Sequence, residues 1–172
     1  YCSGKTVTTH VTSSGYKPGV LYKWGGFTGL TGVTSYTDSG CGNIFYDEGL
    51  DAGKYAGDKN TDTTFGVCCA VGVDCSGFVS QTWGLSSKKS TTTLPDISAK
   101  LSSNDDLSKG DILNLSGSHT VLFVQRESDG KYTVYESVGG AWKVRKYSYT
   151  ASALNDYLPY RYTKLSDAFQ VG

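Results

Sequence analysis

From residue 112 onward the chain reads as strand and turn repeated to residue 162, and that run limits the fold more than any other feature. Segments 112–115, 119–126, 131–138 and 142–149 are apolar or alternating, and Ser-Gly-Ser, Asp-Gly and Gly-Gly turn signals separate them. Connections this short join antiparallel neighbours, so the expected product is a meander. A helical turn at 151–156 precedes a further strand at 157–162. Its Pro159 predicts an edge position, because proline has no N–H to give to a ladder.

Ahead of the sheet, Cys75-Ser76-Gly77-Phe78-Val79-Ser80-Gln81-Thr82-Trp83 places Phe78, Val79 and Trp83 at helical spacing before Gly84, which predicts one short buried helix. The first 70 residues are dominated by Gly, Thr, Ser, Tyr and Asp with scattered apolar residues, and read as loops and short strands. Polar runs at 86–93 and 102–106 read as surface loops around Leu94-Pro95-Asp96-Ile97. The expected class is α+β, and the lack of βαβ alternation disfavours a doubly wound nucleotide-binding fold. With 172 residues and neither repeat nor linker, the expectation is one domain, 1–172.

Sixteen Lys and Arg balance sixteen Asp and Glu, which removes the basic footprint that nucleic-acid or anionic-membrane partners require. No apolar run approaches the ~20 residues of a membrane span. Tyr1 at the start and the absence of Met lead to the expectation of a processed form or an excised fragment.

Five cysteines, Cys2, Cys41, Cys68, Cys69 and Cys75, make an odd set, so paired thiols plus one left over are expected. Cys75 opens the helix, where unpaired backbone N–H groups and the positive end of the macrodipole favour an anion. The bland alternative is a buried or disulfide-bonded cysteine. A cysteine nucleophile needs a base, and the chain holds only His10 and His119. His119 begins a strand with Val121 and Phe123 on its face, whereas His10 sits among Thr and Ser.

A third group should orient the imidazole, and Glu136, between Val134 and Val138, is the best-placed carboxylate. An acid at an inward position of an apolar strand is costly unless partnered. A four-residue loop at 127–130 would pair Arg126 with Lys131 and bring Val121 opposite Glu136, leaving His119 its diagonal same-face neighbour. A two-residue loop would put the pair out of reach, and an outward Glu136 with Thr133, Tyr135 and Ser137 inward is the other alternative.

Asp58-Lys59-Asn60-Thr61-Asp62 resembles the start of a calcium loop, but Thr63 replaces the turn Gly and Cys69 the twelfth-position Glu, so a polar loop is expected. No metal and no cofactor is expected. Trp24, Trp83 and Trp142 are read as packing residues rather than a glycan platform.

With these residues in place, the sequence resembles the NlpC family of papain-like cysteine peptidases that cut cell-wall peptides. Tyr22-Lys23-Trp24-Gly25-Gly26 is similar to the family's aromatic-Gly-Gly segment, and Asp74-Cys75-Ser76-Gly77-Phe78-Val79 to its nucleophile signature. Lys109-Gly110-Asp111-Ile112-Leu113 is similar to the turn and strand before the family's catalytic His, here His119, 44 residues beyond Cys75. The resemblance runs from about residue 15 to 163.

It implies a papain-like α+β fold with the nucleophile at the N-terminus of a helix packed on an antiparallel sheet. It implies a secreted or cell-envelope peptidoglycan hydrolase that cuts the stem peptide between D-glutamate and the diamino acid; apart from the resemblance, a monomer is expected. Cys75, His119 and Glu136 would be catalytic, with Tyr22 near the nucleophile and Asp74 and Ser76 lining the substrate subsite. With Cys75 free, Cys2 and Cys41 bridging to Cys68 and Cys69 is the expected framework, since a ring between adjacent cysteines is strained.

Two departures stand out. The family's third residue is most often His, where this chain offers Glu136, and an insert at about 27–73 replaces a short connection. The alternatives are an amidase or acyltransferase with the same Cys and His, or an inactive peptidoglycan-binding module.

Overall fold

The computed structural model describes residues 6–13, 19–29, 50, 53, 55–61 and 69–165. The chain forms two compact units, Tyr1–Lys88 with Ser137–Arg145, and Lys89–Glu136 with Lys146–Gly172. Cys2, Cys41, Cys68 and most of the expected insert lie outside the described residues, as does Asp62 of the calcium-like run.

Among its described residues the first unit has little regular structure, in keeping with the lack of periodicity there. Strands β1 (Tyr55–Ala56) and β2 (Ala70–Val71) pair in parallel. Isolated bridges join Leu21 to Lys143, Tyr22 to Val73, Lys23 to Asp58 and Phe27 to Val73. Helix α1 (Cys75–Thr82) starts where Asp74, in extended backbone, accepts the Gly77 N–H on its side chain at 2.7 Å. It stops in a Schellman motif: the Leu85 N–H bonds the Ser80 carbonyl, the Gly84 N–H bonds Gln81, and Gly84 takes φ +64°.

The buried face of α1 is Ser76, Gly77, Val79 and Ser80, while Phe78 is only half-buried. Small residues face inward because another backbone lies against them. A Cβ on Gly77 would stand 1.9 Å from the Gly26 carbonyl oxygen, and one on Gly26 would stand 2.4 Å from that of Gly72. The same Gly26 oxygen accepts the Asp74 N–H at 3.2 Å. The paired glycines after Trp24 thus bring two backbones close enough to seat the helix start.

The larger sheet has six strands: β3 (Ser98–Lys100), β4 (Ile112–Leu115), β5 (His119–Arg126), β6 (Tyr132–Val138), β7 (Lys143–Tyr149) and β8 (Leu158–Tyr162), in the order β3-β8-β4-β5-β6-β7. The meander from β4 to β7 follows the predicted segments to within a residue. In the second unit, Leu113, Val121, Phe123, Tyr132, Val134 and Leu154 form the core, with Val121 and Val134 wholly buried. Burying each such valine contributes about 1.5–3 kcal/mol. At the head of β4, buried Asp111 accepts from Arg161 Nε at 3.0 Å and Nη2 at 2.8 Å, and from the Ser108 N–H at 2.7 Å.

Two expectations need correction. Pro159 is not on an edge strand, because the short strand β3, absent from the sequence reading, pairs with the outer side of β8. The Pro159 carbonyl accepts from the Leu101 N–H just past the end of β3, so the missing proline N–H faces the point where that ladder stops. The β5–β6 turn also differs: Arg126 pairs with Tyr132 rather than Lys131. An irregularity between Phe123 and Gln125 then restores the expected register, with Phe123 opposite Val134 and Leu122 opposite Tyr135.

Candidate active site

Cys75, the first residue of α1, is half-buried and is a free thiol. Cys69 is disulfide-bonded. The residues flanking the thiol are tied down on both sides. Asp74 Oδ1 accepts from the Gly77 N–H and from the Ser76 hydroxyl at 3.2 Å, and its Oδ2 receives Lys88 Nζ at 2.6 Å. Asp74 and Ser76 are both buried, so their bonds hold the first turn of the helix in place. The Ser137 hydroxyl donates to the Val73 carbonyl at 2.7 Å and fixes the approach to Asp74.

Tyr22 lies in the same unit, its backbone bridged to Val73 and its N–H donated to the Trp142 carbonyl at 2.9 Å. Burial, and then the negative charges of Asp74 and Cys75, hold its hydroxyl well above the usual phenol range. It therefore stays a hydrogen-bond donor beside the thiol at any ordinary pH. Its neighbour Trp24 is exposed, contrary to the expected packing role, because Leu21 and Lys23 take the inward positions of that segment. Trp83 is buried as expected. Trp142 is half-buried and stacks with His10, ring centroids 5.2 Å apart.

In the second unit, His119 opens β5 and Glu136 lies on β6. His119 Nε2 is 2.7 Å from Glu136 Oε2, and the glutamate side chain is 0% exposed. Tyr135, its chain neighbour, is 40% exposed, so the pleat turns Glu136 inward. Tyr149 on β7 donates its hydroxyl to both carboxylate oxygens, at 3.1 and 3.0 Å. A buried carboxylate costs several kcal/mol on the order of the penalty for an unpaired ion unless it is bonded in this way. With Nε2 donating to the carboxylate, the neutral ring carries its proton there and Nδ1 is the basic nitrogen.

Sequence reasoning missed Lys88 and Tyr149. Tyr149 was within reach of the alternation along β7, which puts it on one face with Tyr147 and Arg145. Lys88 lies in a polar run that reads as solvated loop. Asp58, in the calcium-like run, is buried and uses Oδ1 to accept the N–H groups of Thr8 and Asn60. Among the described residues, no group of three or more His, Cys, Asp or Glu side chains could hold a metal ion, and no helix is long and apolar enough to cross a membrane. No family model, curated protein or solved structure matches this chain.

Proposed function

We propose that this chain is an NlpC-type cysteine peptidase, a cell-wall hydrolase that cuts peptidoglycan stem peptides between D-glutamate and the diamino acid. The observation that carries the reading is the bond from His119 to a wholly buried Glu136. An apolar residue would fill that inward position at lower cost, so the carboxylate has a reason beyond packing. A free half-buried thiol at a capped helix start supplies the matching nucleophile.

In the proposed reaction, His119 Nδ1 takes the Cys75 proton and the sulfur attacks the peptide carbonyl carbon. The carbonyl oxygen becomes an oxyanion that the Cys75 backbone N–H stabilises. Collapse breaks the C–N bond, and His119 returns the proton to the leaving amine, giving a thioester. Water then attacks the thioester, losing a proton to His119, and the carboxylic acid product leaves as the thiol re-forms. Glu136 fixes the imidazole tautomer and stabilises the imidazolium in each half.

Tyr22 donates a hydrogen bond beside the sulfur, and Asp74 and Ser76 border the subsite for the stem-peptide residue upstream of the cut. The Cys69 disulfide supports a secreted or cell-envelope location. The test is mass spectrometry of muropeptides incubated with the protein, with Cys75→Ala and with His119→Ala. Cleavage by the unaltered protein alone is expected, with the bond given by the fragment masses. Transfer of the acyl group to an added amine instead of water would favour an acyltransferase. No cleavage by any of the three would overturn the peptidase reading.

A further inference from the structure

Trp142 is the one non-glycine residue among those described with a left-handed backbone, φ +63°. A bulky side chain persists there only where its surroundings hold it. The hold is visible: the Trp142 N–H donates to Gly139, its carbonyl accepts from Tyr22, and its ring stacks with His10 at an interplanar angle of 28°. Lys59 Nζ stands 4.2 Å from the centroid of that ring. Lys59 Cε lies 3.7 Å, and the Tyr22 ring 3.4 Å, from the point a Cβ on Gly139 would occupy, so both side chains use the space this glycine leaves.

The backbone on either side of Lys59 is fixed as well. Its N–H donates to the Thr8 carbonyl, and buried Asp58 before it takes two backbone N–H groups. Among the described residues no carboxylate pairs with the Lys59 ammonium. The result is a cation with a partly desolvated stem, braced on an indole, with no carboxylate partner among the described residues. It stands beside the tyrosine whose hydroxyl senses the charges of Asp74 and Cys75.

We infer that Lys59, braced on Trp142 beside Tyr22, is a specificity-determining residue that pairs with a free carboxylate of the substrate close to the scissile bond. The inference rests on the peptidase reading above. A γ-linked glutamyl residue keeps its α-carboxylate next to the amide that is cut, and conversion to the carboxamide removes that charge without changing its shape. An ammonium held against a ring forms an ion pair with the former and only the weaker bond to a neutral oxygen with the latter. The substrate class is therefore acidic, non-amidated γ-glutamyl peptides.

The test measures kcat and KM on a γ-glutamyl stem peptide and on its α-carboxamide for the unaltered protein, Lys59→Gln and Lys59→Arg. The unaltered protein should prefer the acid by about tenfold in kcat/KM, the size of one charge-assisted contact. K59Q should lose that preference through a higher KM on the acid while keeping its rate on the amide, and K59R should restore it. Equal use of both peptides by the unaltered protein, or an equal drop on both in K59Q, would overturn the Lys59 assignment and leave the peptidase reading standing. Cleavage of neither peptide by the unaltered protein would overturn both.

Discussion

The thiol and the imidazole are held by two different kinds of structure. His119 and Glu136 sit on adjacent strands of a long antiparallel ladder, where register alone sets which side chains meet. Cys75 sits on an eight-residue helix whose start is seated by close backbone approach between glycines and joined to isolated bridges. A ladder is tolerant, because its geometry comes from hydrogen bonds that every residue except proline can make. A seat made of glycines has no such tolerance, since any side chain occupies the space that the other backbone needs.

The largest expected effect tests that intolerance. Helix propensity alone would make Gly77→Ala stabilising by about 1 kcal/mol. The Gly26 oxygen in the path of the new methyl reverses the sign, and a net loss of about 3 kcal/mol is expected, at the upper end of the cost of overpacking. Urea unfolding monitored by circular dichroism reads it. A stabilised G77A would mean that α1 is not seated on Gly26, and the contrast between the two regions would collapse.

On the ladder side, Glu136→Gln should do the reverse, harming chemistry more than stability. The strand pairing does not depend on this side chain, so the expected loss of stability is about 1–3 kcal/mol, from imperfect pairing with His119 and Tyr149. Activity on the stem peptide should fall on the order of 10²–10⁴-fold, because an amide can present an N–H to the ring and leave it in the wrong tautomer. Activity within a few-fold of the unaltered protein would reduce Glu136 to a structural partner of His119.

The same contrast explains what could be read from the sequence. Strands β4 to β7 were legible because turn chemistry and alternation are local signals, and the His119–Glu136 pairing followed once a register was chosen. That register came out right for an indirect reason: the turn pairs Arg126 with Tyr132, and an irregularity near Val124 compensates. β3 was not legible, since three residues, one half-buried and two exposed, carry no period. The seat of α1 was legible only as a Gly-Gly motif, because the contact between Gly26 and Gly77 joins residues far apart in sequence. The bracing of Lys59 on Trp142 was hidden likewise, since a left-handed tryptophan has no sequence signature.

A smaller effect separates the cap of α1 from its ion pair. Asp74→Ala removes the acceptor for the Gly77 N–H and should cost about 1 kcal/mol, within the usual range for an N-cap. Lys88→Gln keeps the cap and removes only a partly exposed charge, so at most about 0.5 kcal/mol is expected, declining with added salt. Equal losses in the two variants would mean that the ion pair, not the cap, positions the helix start.

The smallest effect lies in the alkaline limb of stability. The Tyr22 phenol is held above its ordinary value of 10.0 by burial first and by the charges of Asp74 and Cys75 next. Above about pH 10 the unfolded chain releases this proton while the folded chain keeps it, so the unfolded state binds fewer protons and stability falls as pH rises. Below that pH the contribution is present in full. Tyr22→Phe removes the group and should make the decline between about pH 9 and pH 11 shallower, with the neutral-pH midpoint little changed. The comparison needs only urea midpoints at a few pH values for the two proteins. An unchanged slope would mean that solvent reaches the hydroxyl freely, and the packed surroundings that set the thiol side apart from the ladder would not extend to Tyr22.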